Sequence, residues 1–185
     1  MKTTVKPTPL EGLVLVDIDY FQDERGFFIE SWNERDFAAA GLPLAFVQEG
    51  HSRSGRRVLR GLHFQDTTAP MGKLLRCTRG VIFDVAVDLR ASSSTFGQWF
   101  GIELTEDNKT QIYVPPGFAH GFQAIADIVE IQYKQTGFYT PAAEGTLTWN
   151  DPEVGVAWPL PDPILSTRDQ NGSPLRSFRD HPVFP

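Results

Sequence analysis

The chain has 185 residues, is 41% hydrophobic and carries a formal net charge of -6 at pH 7. That fits one domain with a sizeable core and argues against a nucleic-acid groove or an anionic membrane surface as the main partner. A single cysteine, Cys77, excludes an internal disulfide framework and a multi-cysteine metal site and suits a reducing compartment.

No apolar run approaches the roughly 20 residues of a membrane helix, and the opening Met1-Lys2-Thr3-Thr4-Val5-Lys6-Pro7 lacks the apolar core of a secretion signal. The expectation is a cytoplasmic, unanchored protein. Leu13-Val14-Leu15-Val16 begins a β-like run that reaches Tyr20-Phe21, and Phe27 to Trp32 follows an Asp23-Glu24-Arg25-Gly26 turn. This predicts a hairpin. Asn33 to Ala40 is the best helix, with Asn33 as N-cap, Asp36 three residues on and Gly41 as the stop.

Strand signals then recur over Ala45 to Gln48, Val58 to Gln65, Lys73 to Thr78, Val81 to Leu89, Gln98 to Leu104, Gln111 to Val114, His120 to Ile125, Val129 to Gln135 and Thr146 to Trp149. Within Val81 to Leu89 the odd-numbered apolar residues would face one way and Asp84, Ala86 and Asp88 the other, so one side is expected to be core. Many short strands with little helix predict an all-β sandwich or jelly-roll β-barrel with one or a few short helices. From Pro159 onward prolines and polar residues cluster, which predicts an irregular strap over the barrel. The expected division of a single domain, 1–185, is a hairpin and short helix over about 1–45, a barrel core over about 46–150 and the strap over about 151–185.

Val58-Leu59-Arg60-Gly61-Leu62-His63-Phe64-Gln65 is odd for a plain core strand. Arginine and histidine sit three positions apart in an apolar run, and either must find partners or lose several kcal/mol, roughly, to desolvation. Strict alternation puts His63 and Gln65 on one face and Arg60 on the other. Either the strand bends or bulges near Gly61, or the two side chains serve different parts of an extended ligand.

Of the four histidines, His51 and His181 lie in polar or proline-flanked surroundings that suit a surface. His63 and His120 lie in apolar strands, and together they suggest a site. Pro116-Gly117-Phe118-Ala119-His120 resembles the second metal motif of cupin barrels, but His63-Phe64-Gln65 supplies one histidine where the first motif needs two and a glutamate. No metal is expected. Cys77 alternates like a packed strand residue, and Ser92-Ser93-Ser94 reads as a turn, so neither is a promising nucleophile.

General acid-base chemistry uses more of these residues. A histidine exchanges protons near neutrality, and a carboxylate on its other nitrogen fixes its tautomer. Asp169, Asp84 and Glu144 are candidate partners, Tyr133 and Tyr139 candidate proton donors, and Lys73 a candidate for stabilising an oxyanion. Arg25, Arg60 and Arg168 could clamp a phosphorylated ligand.

Four runs, Phe21 to Glu30, Gln48 to Gln65, Val85 to Arg90 and Pro116 to Phe122, resemble those of dTDP-4-dehydrorhamnose 3,5-epimerases. The likeness continues in order through Tyr133-Lys134, Trp149-Asn150-Asp151-Pro152, Trp158-Pro159 and Leu165-Ser166-Thr167-Arg168-Asp169. The resemblance implies a cupin-type jelly roll that works as a homodimer without metal or organic cofactor. It implies inversion at C3 and C5 of dTDP-4-dehydro-6-deoxy-D-glucose, through enolates, to dTDP-4-dehydro-L-rhamnose for dTDP-L-rhamnose biosynthesis. By the same likeness His63 is the base, Asp169 orients it, Tyr133 is the acid and Lys73 supports the enolate oxygen. Arg25, Glu30, Gln48, Arg60, His120, Glu144 and Arg168 match positions that hold the nucleotide sugar, some of them across the dimer.

The chain departs from the family pattern at Gly50, where Asn is usual, at Arg57, where Gly is common, and at Phe138, where a hydroxyl-bearing aromatic is often seen. Gly50 is compatible with a relative that inverts one carbon of a related dTDP-4-keto-deoxysugar. A non-catalytic sugar-nucleotide binding barrel and a metal-dependent cupin are the readings from other classes.

Overall fold

A computed structural model describes residues 1–42 and 45–185. Along the chain run β1 (Thr3–Pro7), β2 (Val14–Ile18), β3 (Phe21–Asp23), β4 (Gly26–Phe28), helix α1 (Glu34–Ala39), β5 (Gln48–Gly55), β6 (Leu59–Gln65), β7 (Lys73–Arg79) and β8 (Val81–Asp88). Then come β9 (Trp99–Thr105), β10 (Gln111–Val114), β11 (Phe118–Ala124), β12 (Ile128–Gln135), β13 (Glu144–Thr146), α2 (Thr167–Gln170) and α3 (Leu175–Asp180). Two antiparallel sheets, ordered β1-β2-β10-β7-β12-β5 and β13-β6-β11-β8-β9, face each other as a jelly-roll sandwich. The all-β cupin-type expectation holds.

Three apolar clusters hold this arrangement together. Leu75, Cys77 and Ile112 of the first sheet meet Ile82, Ala86, Leu104 and Phe122 of the second between the sheets. On the outer face of the second sheet, Leu62, Phe64, Val85 and Val87 pack against Leu147, Val154, Leu175, Phe178 and Phe184. On the outer face of the first, Val16, Ile18, Leu74 and Tyr113 meet Phe37 of α1, with Trp32 and Phe46 alongside. β8 is therefore buried on both faces, not one. The C-terminal segment lays its own apolar residues over the odd-numbered face, and Asp84, Ala86 and Asp88 turn inward. That segment carries two short helices where irregular chain was expected. Asp151 anchors it, accepting from the Leu175 amide at 2.7 Å and the Glu153 amide at 2.8 Å.

Local signals place several elements. Asn33 caps α1 by accepting from the Arg35 and Asp36 amides, and Gly41 leaves the helix at φ +88°. The hairpin forms, but between β3 and β4, with Phe21 opposite Phe28. β2 instead pairs with β1 and β10, because its alternating apolar residues are needed in the first sheet. Strand β1 carries no such apolar signal in the sequence.

The strand expected over Ala45 to Gln48 begins only at Gln48 and continues to Gly55. This edge strand turns Gly50, Ser52 and Ser54 inward, with Ser52 on the rim of a cavity, and its other side to solvent, so it shows no hydrophobic alternation. The strand expected over Thr146 to Trp149 lies earlier, at Glu144–Thr146, where it pairs with β6. Arg57 stands at φ +70°, a conformation glycine adopts without cost, and its guanidinium reaches the Pro161 and Asp162 carbonyls.

Asp88 is a buried carboxylate with a clear structural task. It accepts from the Arg90 Nε at 2.9 Å, the Arg90 amide at 3.0 Å, the Ser93 hydroxyl at 2.6 Å and the Thr95 hydroxyl at 2.7 Å. Burial alone would raise its pKa, but these donors outweigh burial and hold it at about 2. A depressed carboxylate stabilises the fold above its unfolded pKa, and that contribution is lost as pH falls toward 2. Asp88→Asn is expected to cost about 2 kcal/mol at neutral pH and to flatten the acid side of the stability curve. Urea unfolding at pH 7 and pH 3 measures both effects.

Candidate active site

β6 bulges where its glycine allowed it to. His63 pairs with His120 of β11, but the next pair is Arg60 with Phe122, so three steps on β6 span two on β11. Gly61 takes φ +145°, and a Cβ there would lie 2.6 Å from the Gly121 Cα and 3.2 Å from the His120 carbonyl oxygen. Leu62 consequently turns out to the strap core. Arg60 and His63 both turn into one cavity of about 350 Å³.

The two sheets contribute opposite walls of this cavity. Lys73, Tyr133 and Gln135 come from the first sheet, His63, Gln65, His120 and Glu144 from the second, and Arg168 and Asp169 from α2. His63 Nε2 donates to Asp169 Oδ1 at 2.5 Å. Asp169 is itself held by the Ser166 hydroxyl at 2.7 Å, and the nearby Gly61 amide of the bulge further favours its charged form. His120 Nε2 spends its hydrogen bond on buried Asp84, at 3.0 and 3.1 Å. Of the three carboxylates considered for His63, Asp169 is the one in contact. Glu144 instead pairs with Arg168 at 2.6 Å and accepts from the Tyr139 hydroxyl at 3.0 Å.

Burial lowers the His63 pKa, and the neighbouring Arg168 and Lys73 charges push the same way against the Asp169 hydrogen bond. The imidazole is therefore neutral at pH 7, with Nδ1 unbonded among the described residues. Burial also brings Lys73 down to about 8, partly opposed by Glu144. Asp169 stays ionised because its bonds from His63 and Ser166 outweigh its burial. Tyr139 is raised by its bond to Glu144. The Tyr133 hydroxyl makes no hydrogen bond to the described residues, so it is the phenol free to act in the cavity. Cys77 is buried and pushed up to about 11, as a packed thiol is.

Eight of the eleven residues given roles by the family resemblance line the cavity, namely His63, Lys73, Tyr133, Asp169, Arg60, His120, Glu144 and Arg168. Three do not. Arg25 lies exposed on the β3-β4 turn, paired with Asp23, and Glu30 accepts from Asn33 Nδ2 at 3.2 Å. Gln48 is committed on both ends, donating to Gln135 Oε1 at 2.9 Å and accepting from the Tyr139 amide at 3.0 Å. It braces the rim.

Sequence reasoning passed over Gln65, whose Oε1 accepts from the Thr140 amide at 2.6 Å while its Nε2 donates to the Ala69 and Phe138 carbonyls. Its alternation with His63 was the available signal. Among the described residues no three histidine, cysteine or carboxylate side chains converge as a metal cage would need.

The family model described as dTDP-4-dehydrorhamnose 3,5-epimerase matches residues 7–177. The chain is 49% identical over 187 residues to the dTDP-4-dehydrorhamnose 3,5-epimerase of Pseudomonas aeruginosa, covering 100% of both. Its fold is similar to the crystal structure of that enzyme from Elizabethkingia anophelis, with a TM-score of 0.90 at 40% identity over 96% of this chain and 98% of the other. It is also similar to dTDP-6-deoxy-D-glucose-3,5-epimerase from Legionella pneumophila in complex with dTDP-4-keto-L-rhamnose. There the TM-score is 0.89 at 39% identity, over 94% of this chain and 93% of the other. With the model spanning most of its length and the match end to end, the chain belongs to the dTDP-4-dehydrorhamnose 3,5-epimerase family.

Proposed function

We propose that the protein inverts C3 and C5 of dTDP-4-dehydro-6-deoxy-D-glucose, giving dTDP-4-dehydro-L-rhamnose for dTDP-L-rhamnose biosynthesis. The observation that carries this reading is the neutral His63, fixed by Asp169, across a cavity from Lys73 and from a Tyr133 hydroxyl that has no hydrogen bond to the described residues. A hydrogen alpha to a ketone is acidic only if the enolate charge is held, and inversion needs a proton delivered to the opposite face. His63 takes the proton, the C–H electron pair moves onto the ketone oxygen, and the Lys73 ammonium stabilises that oxygen. Tyr133 then gives its proton to the other face of the carbon. Solvent resets the imidazolium and the phenolate before the second carbon reacts. Asp169 holds the His63 ring throughout, and Arg60, Arg168, His120 and Glu144 bind the nucleotide sugar.

Arg25 and Glu30 take part through a homodimer in this reading, each reaching the partner's cavity. The hairpin that carries Arg25 supports it, because Phe21, Phe27 and Phe28 stand largely exposed there and would be covered by a second copy. The lone reduced thiol supports work in the cytoplasm.

The test is incubation with the keto sugar in D2O, followed by NMR of each carbon. Label at both C3 and C5 is expected, and no label at either sinks the reading. Label at one carbon alone would make the protein a single-carbon epimerase, a second reading favoured by the glycine at position 50.

The rate should also depend on pH in a defined way. kcat/KM should rise as His63 loses its proton on the acid side and fall through about pH 8 as Lys73 loses its ammonium charge. Lys73→Met is expected to remove the alkaline limb and lower kcat about 100-fold. An unchanged alkaline limb in that variant would rule out the role given to Lys73.

A further inference from the structure

Gly50 lies on the edge strand β5 directly opposite Tyr133 of β12. The phenol ring lies across it. A Cβ built on Gly50 would stand 2.4 Å from Tyr133 Cζ, 2.5 Å from its hydroxyl oxygen and 2.7 Å from Cε2. No atom approaches another so closely, so any side chain at position 50 must displace the ring. The backbone of Gly50 is ordinary extended strand, which every residue adopts. Glycine in a strand interior costs stability, so what it supplies here is space.

Cross-strand glycine and aromatic pairs recur in this fold. Phe64 covers Gly145 and Phe83 neighbours Gly101, but those rings belong to the apolar cluster beneath the strap. Tyr133 differs because it brings to the cavity wall a hydroxyl that makes no hydrogen bond to the described residues, whereas Phe64, which also borders the cavity, has no polar group to offer. Its other cross-strand neighbour is Leu75 of β7. A ring pushed off β5 must therefore lean toward β7, the strand that also carries Lys73.

We propose that Gly50 is a positioning residue that determines specificity. By leaving the space beside β5 empty it lets the Tyr133 phenol lie back over the edge strand, and this setting fixes how proton delivery is divided between the two carbons flanking the ketone. The inference rests on the reading of Tyr133 as the proton donor. A side chain at position 50 swings the hydroxyl toward β7 and changes that division. Only the donor moves, because His63 stands on β6 of the opposite sheet and Asp169 on α2.

The experiment measures the ratio of deuterium incorporation at C3 and C5 for the wild type, Gly50→Ala and Gly50→Val, each alone and with Tyr133→Phe. Alanine and valine add volume in steps without a new hydrogen bond, and both suit extended backbone. The expected ratio moves progressively, by about fivefold or more in one of the two variants, and the shift disappears in the Tyr133→Phe background. A smaller shift in both folded variants overturns the proposal, as does an equal shift without the hydroxyl. If Gly50→Val fails to fold, the alanine variant decides alone on the same criterion. Absence of exchange in the wild type would instead refute the epimerase reading itself.

Discussion

His63→Ala is expected to lower proton exchange at both C3 and C5 by about 1,000-fold or more while leaving dTDP binding nearly intact. The same imidazole serves both carbons, so both exchanges must fall together. Truncation leaves Asp169 with its bond from the Ser166 hydroxyl and the favourable dipole of the nearby Gly61 amide, so the charge is not stranded and unfolding should change little. Asp169→Asn separates base strength from orientation. Its amide could accept from Nε2, yet it loses the charge that favours the imidazolium formed during proton abstraction, so kcat should fall with KM nearly constant. Calorimetric titration with dTDP and deuterium exchange check these results together. His63→Ala retaining more than a tenth of the exchange at either carbon would remove His63 as the base.

Gly61→Ala has the largest expected effect on the fold. Its Cβ would meet the backbone of β11, at 2.6 Å from Gly121 Cα, and φ +145° is strained for any residue with a side chain. The obstruction is backbone on a neighbouring strand, so relief requires pulling β6 and β11 apart. A loss of about 3 to 5 kcal/mol is expected by urea unfolding. Catalysis should fall with it, because relaxing the bulge separates Arg60 from His63 in the cavity wall. Conservative Arg60→Lys is a useful control, since it should weaken ligand binding without altering stability. Wild-type stability in Gly61→Ala would show that the bulge does not depend on glycine.

The site was more legible in the sequence than the fold around it. A histidine and an arginine in an apolar strand are too costly to be incidental, and Gly61 announced the bulge that lets both serve one cavity. The dyad partner was narrowed to three carboxylates, and contact selected Asp169. Where the reading failed, burial came from distant chain. β8 looked like a strand with one core face because nothing near it in sequence shows that Leu175, Phe178 and Phe184 return to cover the other. β5 gave no alternation because it is an edge strand whose inward side carries Gly50, Ser52 and Ser54, with Ser52 on the cavity, in place of apolar residues. Gln48, expected at the ligand, also braces the rim between Gln135 and Tyr139.

By itself the sequence determined the strand-rich class, the helix cap at Asn33, the turn at Gly26 and the set of residues able to move a proton. Those are local matters of periodicity, turn chemistry and side-chain type, which each stretch carries within itself. Only the tertiary structure decided which carboxylate touches which histidine, that the Tyr139 hydroxyl is bonded while that of Tyr133 finds no partner among the described residues, and that the Tyr133 ring lies over Gly50. Each of these depends on register between strands far apart in the chain, and a shift of one residue would turn every side chain to the opposite face.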